Sequence, residues 1–302
     1  SAFRRSDVSQ SRGSAHIMIS QYLVNGLLIG GLYACLAVGF SLVWGVLNVI
    51  NMLHGSMVVM GAYFCLFGVQ QLGLPLYAVA PVVCCVLFAF GYAIQRGLLN
   101  QVITQPILIT LTLTFGLELI VNNLLLHTFS ATPRSLITNY GMLEFAGVRV
   151  PVVRVGGMLV ACILTLVLYW LLRHSKIGRA IIAVRMDRHA AGLMGIRIPH
   201  IYALTFGIGA FMAGAAGCAI ALIYPVTPMM SGLFLGKAFV ICVLGGLGSV
   251  PGAIIGGLVL GVAEGVGTLT LGQQWATSVG FIMMMAVIIL FPTGIMGKKG
   301  YE

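Results

Sequence analysis

Between Arg12 and Arg96 the chain carries no Asp, Glu, Lys or Arg. A soluble domain cannot cover itself with such a stretch, because its surface must present charged and polar groups to water. The stretch is long enough for several membrane crossings of roughly 20 residues each. Over the whole chain 60% of residues are hydrophobic and 7% are charged, which excludes a soluble globular domain. Apolar runs of this length satisfy their own backbone in a bilayer as helices. The expected fold is all-α, a polytopic membrane helical bundle with about eight membrane segments, two of them broken or re-entrant.

Gly and Pro punctuation divides the chain into apolar elements. They run Ile19 to Val43, Val46 to Val69, Leu76 to Gln95, Ile103 to Thr128, Gly156 to Leu172, Ile201 to Tyr224, Leu235 to Leu271 and Trp275 to Phe291. Residues 1–18 are polar, lack the apolar core and cleavage site of a signal peptide, and are read as a tail without assigned function. A membrane domain is expected over residues 19–297, with a short cytoplasmic tail at 298–302 carrying Lys298 and Lys299. The segment from Phe129 to Val155, with Pro133, Asn139, Pro151 and the cations Arg134, Arg149 and Arg154, is expected on the outer face.

Residues 174–200, HSKIGRAIIAVRMDRHAAGLMGIRIPH, form the basic connection between two spans. Arg173, Lys176, Arg179, Arg185, Arg188 and Arg197 are six of the sixteen Lys and Arg. The positive-inside rule places this stretch in the cytoplasm. Here a net charge of +10 marks orientation and contact with anionic lipid rather than nucleic acid. Ile181, Ile182, Val184, Leu193, Met194 and Ile196 alternate with charges around Asp187, Gly192 and Gly195. Two readings stand: a short amphipathic helix and Gly turn offering apolar knobs to a soluble subunit, or an interfacial helix lying on headgroups.

Parity constrains topology. The basic stretch, the Lys298-Lys299 tail and, more weakly, the Arg-bearing N-terminus all favour the cytoplasm. Five apolar elements precede the stretch and three follow it. The counts become even if Val46–Val69 and Leu235–Leu271 each enter and leave on one face. Full crossings by both, with an outside N-terminus, are the alternative. The first of these elements contains Asn48, Asn51, His54 and Ser56, beside Gly55. Such groups in hydrocarbon must face a cavity or another helix. They line a translocation pathway or act as interhelical glue, and their clustering at a Gly break favours the pathway. The second contains GGLGSVPG, in which Gly245, Gly246, Gly248 and Ser249 offer flexible backbone in the later half.

Other features are bland. All seven cysteines lie in apolar runs without C-x-x-C or Cys/His spacing, so neither a disulfide framework nor a metal site is expected. GLFLGKA around Lys237 is one residue short of a phosphate loop and has Ala238 where Ser or Thr would hold magnesium. Glu118 and Glu264 read as hydrogen-bonded anchors or protonated carboxyls, with no second carboxylate or Arg spaced to partner them. Gly252, Gly256, Gly257, Gly261 and Gly265 form small-xxx-small faces for close helix packing. No catalytic constellation is visible, so the chemistry is expected to be conformational and the chain not an enzyme.

Gly178-Arg179-Ala180, followed by Ala190-Ala191 and Leu193-Met194-Gly195-Ile196, resembles the coupling segment of permease subunits of the branched-chain amino acid ABC transporter family. His189 stands where the family has Glu. LNVINMLHGSMVVMGAY and VLGGLGSVPGAIIGGLVLGVAE resemble two further stretches of that family, and the match covers about Gln21 to Gly297. The resemblance implies a bacterial inner-membrane importer subunit for amino acids or related small polar solutes. Its partners would be a second permease of similar fold, two cytoplasmic ATP-binding subunits and a periplasmic solute-binding protein. ATP would be bound by those partners, with no cofactor in this chain. Gly178, Arg179, Ala180, Asp187, Ala190, Ala191, Met194 and Gly195 would meet the ATPases. A secondary transporter driven by an ion gradient is the rival, against which stands a docking segment in a chain with no ATPase domain.

Overall fold

The computed structural model describes residues 3–136, 141–145, 148–290 and 294–296, with side chains from Met18 onward except those of Phe145 and Val148. Asn139, Phe291 and the Lys298-Lys299 tail lie outside the described residues. Before the basic stretch come α1 (Phe3–Leu47), α2 (Leu53–Gln70), α3 (Leu76–Ile94), a π-helical turn (Gln95–Leu99) running into α4 (Asn100–Val102), and α5 (Ile107–Phe129). A hairpin of β1 (Met142–Phe145) and β2 (Val148–Pro151) leads to α6 (Val152–His174). The basic stretch forms α7 (Lys176–Met186) and α8 (Arg188–Leu193). After it come α9 (Ile198–Ala221), α10 (Ser231–Gly245), α11 (Val250–Leu271) and α12 (Gln273–Leu290). Among the described residues nine helices are long and apolar enough to cross a membrane.

The bundle is built on α1, whose glycines let neighbouring backbones touch. A Cβ on Gly26 would lie 2.6 Å from the Gly261 carbonyl oxygen, and one on Gly30 would lie 3.0 Å from that of Gly257. The small-residue face expected on α11 therefore packs on a matching Gly26-xxx-Gly30 face of α1. Gly61 of α2 and Gly214 of α9 make a second such crossing, at 2.8 Å. In lipid, helices gain little from the hydrophobic effect, so contact of this kind carries the packing.

The pairings also give direction. Cys35 Sγ meets the Met212 carbonyl at 3.9 Å, while Gly39 and Val43 lie against Gly209, so α1 and α9 are antiparallel. Since α9 follows the basic stretch and starts at the cytoplasmic face, α1 starts at the outer face. Five spans then reach the basic stretch and four more return the chain to the cytoplasm.

Three expectations change accordingly. The N-terminal end of the first span is outside, and its helix begins at Phe3 rather than Ile19, so the change at Ile19 is one of polarity and not of backbone. The element at 46–69 is not re-entrant: the chain breaks at 48–52 and α2 continues as an intact helix of 18 residues. The element at 235–271 is a hairpin of two helices. Gly246 and Gly248, at φ 99 and 76, turn the backbone through conformations that favour glycine, and Pro251 starts α11. The later half has its break elsewhere, between the outer face and the start of α10. α10 is only 15 residues, roughly 22 Å long, and residues 222–230, containing Pro225, Pro228 and a 3-10 turn (Pro228–Met230), complete its crossing.

Among the described residues one ion pair is buried in this bundle. Lys237 Nζ lies 2.9 Å from both Glu264 carboxylate oxygens, and the Tyr33 hydroxyl donates to Glu264 Oε2 at 2.8 Å and accepts from Lys237. The triad joins α10, α11 and α1. Glu264 thus has the partner that the sequence did not disclose, because Lys237 lies 27 residues away on a different helix.

Two outcomes test this packing. Gly261→Leu should destabilise the purified permease by about 1–3 kcal/mol through overpacking, whereas Gly116→Ala, where a Cβ meets nothing within 4 Å, should leave its thermal unfolding unchanged; equal behaviour of the two would refute the close α1–α11 contact. Lys237→Met should cost about 3–5 kcal/mol by stranding Glu264, and Lys237→Met with Glu264→Leu should recover most of it. The same thermal melts read this cycle.

Candidate functional site

The break at 48–52 leads the chain back from the cytoplasmic end of α1 toward the membrane interior. Asn48 is exposed at the turn, with φ 53, and its amide still bonds to the Trp44 carbonyl at 2.9 Å. By His54 the chain lies beside Leu36 and Phe40, about three helical turns back along α1. His54 Nε2 sits 3.0 Å from the Leu36 carbonyl, an acceptor only, so Nε2 carries the proton and Nδ1 presents a lone pair. Among the described residues that Nδ1 and Asn51 Oδ1 are buried without a partner, in a residue pair one turn apart. Thr114 of α5 serves the broken backbone, donating to the Ile50 carbonyl at 3.1 Å and accepting from the Met52 amide at 3.4 Å.

The start of α2 meets the start of α10. Gly55 has no Cβ, which lets the Ser231 carbonyl oxygen press against it. Around this contact four side chains from three helices form a closed network. Ser56 Oγ donates to Asn122 Oδ1 at 3.0 Å; Asn122 Nδ2 donates to Glu118 Oε1 and to Ser231 Oγ, each at 2.8 Å; and Ser231 Oγ donates to Glu118 Oε1 at 3.2 Å. Glu118 and Asn122 are one turn apart on α5 and half-buried. Among the described residues Glu118 forms no ion pair, and its Oε2 is left out of the network. A carboxylate at such a position needs water or a positive donor to face it.

The structure therefore separates the residues expected along the pathway. Asn51, His54 and Ser56 gather inside the membrane, while Asn48, Gly245, Gly246, Gly248 and Ser249 lie at the cytoplasmic turns. Asn122, Ser231 and Thr114 were missed. The available signals were the run of Asn122 and Asn123 after Glu118 in an apolar helix and the Pro225 and Pro228 pair before Ser231.

On the cytoplasmic face the basic stretch folds as two helices. Ser175 caps α7, its hydroxyl accepting from the Gly178 amide at 2.8 Å, and Gly178 has no Cβ to strike the backbone of Leu171 and Leu172, so α7 doubles back at the end of α6. Asp187 breaks the helix and caps α8, its Oδ1 accepting from Ala190 and His189 amides at 3.0 and 2.8 Å. These two bonds hold its carboxyl below the usual carboxylate range. Gly195, at φ 83, ends the motif. Ile181, Val184 and Ala191 turn inward and are buried. The outward knobs are Met186, Leu193 and Met194, the last two 90% and 83% exposed. Arg179 and Ala190 lie exposed on the same face, and Ala180 is half-buried. Arg185 reaches inward, and a Cβ on Gly248 would lie 3.5 Å from its guanidinium and 2.9 Å from Gly45. α7 thus touches both the α10–α11 turn and the cytoplasmic end of α1.

The family described as "Branched-chain amino acid transport system / permease component" matches residues 22–290. The chain is 32% identical to the high-affinity branched-chain amino acid transport system permease protein BraD of Pseudomonas aeruginosa, over 93% of this chain and 97% of that protein. It is 31% identical to LivH of Escherichia coli, a permease protein of the same description, over 93% and 96%. A shorter likeness, 30% identity over 42% of this chain and 40% of the relative, links it to the autoinducer 2 import system permease protein LsrC of Photorhabdus laumondii. No solved structure matches. The chain belongs to the permease components of branched-chain amino acid ABC importers and is a multi-pass inner-membrane subunit, which decides against a secondary transporter driven by an ion gradient.

Proposed function

We propose that this chain forms half of the pathway for an amino acid of the branched-chain type, or a related small polar solute, together with a second permease of similar fold. Two cytoplasmic ATP-binding subunits dock on α7 and α8, and a periplasmic solute-binding protein delivers the solute. The chain catalyses no reaction and holds no cofactor; ATP is bound and hydrolysed by the partner subunits. The observation that carries this reading is the junction at Ser56, Glu118, Asn122 and Ser231, where two interrupted segments meet on one half-exposed face.

Interrupted helices expose backbone and polar side chains to a central path, and corresponding breaks in the two halves of a transporter mark it. The outer face of α5 continues the polar surface through exposed Thr112 and Asn123. The α-ammonium of a passing amino acid is the positive donor that Glu118 Oε2 faces. The unpartnered acceptors at Asn51 and His54 lie further along the same segment. Closure of the ATPases moves α7 and α8, Arg185 carries the motion to Gly248 and Gly45, and the segment at 48–52 shifts with the end of α1.

Glu118→Ala should slow leucine uptake in proteoliposomes by about tenfold, the worth of one charge-assisted hydrogen bond, while ATPase subunits remain bound; uptake at the normal rate would sink the ammonium contact. For docking, Leu193→Arg with Met194→Arg should remove co-purifying ATPase while the permease keeps its melting temperature, because both side chains stand in solvent. Ala191→Arg is a poorer probe, since Ala191 is buried. Retained ATPase in the Leu193/Met194 variant would displace the docking face from α8.

A further inference from the structure

At the cytoplasmic end of α3 a pocket of about 690 Å³ opens between the π-helical turn and the first turn of α9. Its polar lining is Tyr92, Arg96, Asn100, Arg197 and His200, and none of its lining residues is acidic. The walls are tied together from beneath: Gln95, fully buried, donates from Nε2 to Asn100 Oδ1 at 3.0 Å, and Asn100 Nδ2 donates to the Pro199 carbonyl at 3.1 Å. A π turn at this point rotates the end of the helix, as such turns do at functional sites.

The donors are oriented as a set. Arg96 can only donate, and its Nη1 lies 3.1 Å from the Tyr92 hydroxyl, which lies 3.0 Å from His200 Nδ1. With the Tyr92 hydroxyl donating to Nδ1 the neutral ring carries its own proton on Nε2, and in the imidazolium both nitrogens carry protons. In both of these states His200 Nε2 presents an N–H into a pocket that Arg96 and Arg197 also line. This is a receptor for a phosphate, not for a cation or a neutral amide.

What lies above the pocket identifies the source of the phosphate. α3 exposes Val82, Val86, Ala89 and Ala93 on successive turns, an apolar stripe that runs down to Arg96. Unlike the exposed face of α5, it carries no Asn, Thr or Glu, so it faces acyl chains rather than a water-filled path. The outward knobs of the ATPase docking face lie on α7 and α8 and at Met194, not among the lining residues. We propose that this pocket binds the phosphate of an anionic phospholipid of the cytoplasmic leaflet, with the acyl chains along the α3 stripe. Basic pockets between membrane helices on this side are placed where anionic headgroups concentrate.

The test is native mass spectrometry of the full-length permease in neutral detergent, titrated with dioleoyl-phosphatidylglycerol or dioleoyl-phosphatidylcholine. The wild type should bind phosphatidylglycerol saturably. Arg96→Gln with Arg197→Gln should weaken that binding by about tenfold and leave phosphatidylcholine binding unchanged, whereas Arg173→Gln, a cation on the same face outside the pocket, should change neither. Tyr92→Phe, which keeps both charges but frees Arg96 and His200, should give a smaller fall, and it stands in for the double variant should that one fail to fold. Undiminished phosphatidylglycerol binding in the variants overturns the proposal. Displacement of the lipid by millimolar inorganic phosphate would make this a free-anion site, and loss of co-purifying ATPase without loss of lipid would make it a protein contact; either outcome also overturns it.

Discussion

In hydrocarbon each backbone amide and carbonyl must find a partner within the protein, and among the described residues this chain interrupts its helices there twice. The breaks at 48–52 and 222–230 persist because each is served from outside its own helix. Thr114 answers for Ile50 and Met52. Near the outer face, Val226 exchanges both backbone hydrogen bonds with Arg134, at 2.8 and 3.0 Å, and the Tyr63 hydroxyl donates to the Val226 carbonyl at 3.3 Å. The cytoplasmic end of α10 is completed in the same way, with the Ile295 and Met296 amides donating to the Leu244 and Gly245 carbonyls at 2.9 and 3.1 Å. Irregular backbone at membrane depth is therefore supported on its protein side.

Glycine turns this arrangement into a connected one. α1 lies against α9 and α11 with backbones touching, and its end at Gly45 meets the hairpin turn at Gly248 beneath Arg185. Packed interfaces of this kind have few intermediate arrangements, so displacement at one end is transmitted rather than absorbed. The first polar break begins just after Gly45. A push on the cytoplasmic helices therefore arrives at the segment that carries Asn51 and His54.

Much of this was legible before any coordinates. The membrane class, the basic cytoplasmic stretch, the Gly face of α11 and the polar break at Asn48 to Ser56 follow from charge, periodicity and burial cost, which are local properties. What eluded the sequence was pairing across distance. Gly26 and Gly30 gave no sign of being the partners of Gly257 and Gly261, and GGLGSVPG looks the same whether it unwinds mid-membrane or turns at the surface. The later break was hidden because Pro225 and Pro228 read as the end of a span. The inward turn of Ile181, Val184 and Ala191 was equally hidden, since a short amphipathic helix does not say which of its neighbours lies beneath it.

The chain's two intramembrane glutamates place one residue type in two different settings, and the proposed solute contact at Glu118 rests on that difference. Glu264 is nearly enclosed, receives Lys237 and Tyr33, and has its acceptor capacity met within the protein. A fixed charge so matched has no residual demand to place on a solute. Glu118 is half-exposed and has one oxygen occupied by Asn122 and Ser231, while the other stays out of that network. Its neighbours are neutral amide and hydroxyl groups, which hold the carboxylate in place without cancelling its charge. That is the condition a passing cationic group requires: a partner strong enough to replace part of its hydration, held weakly enough on its other side to let it go.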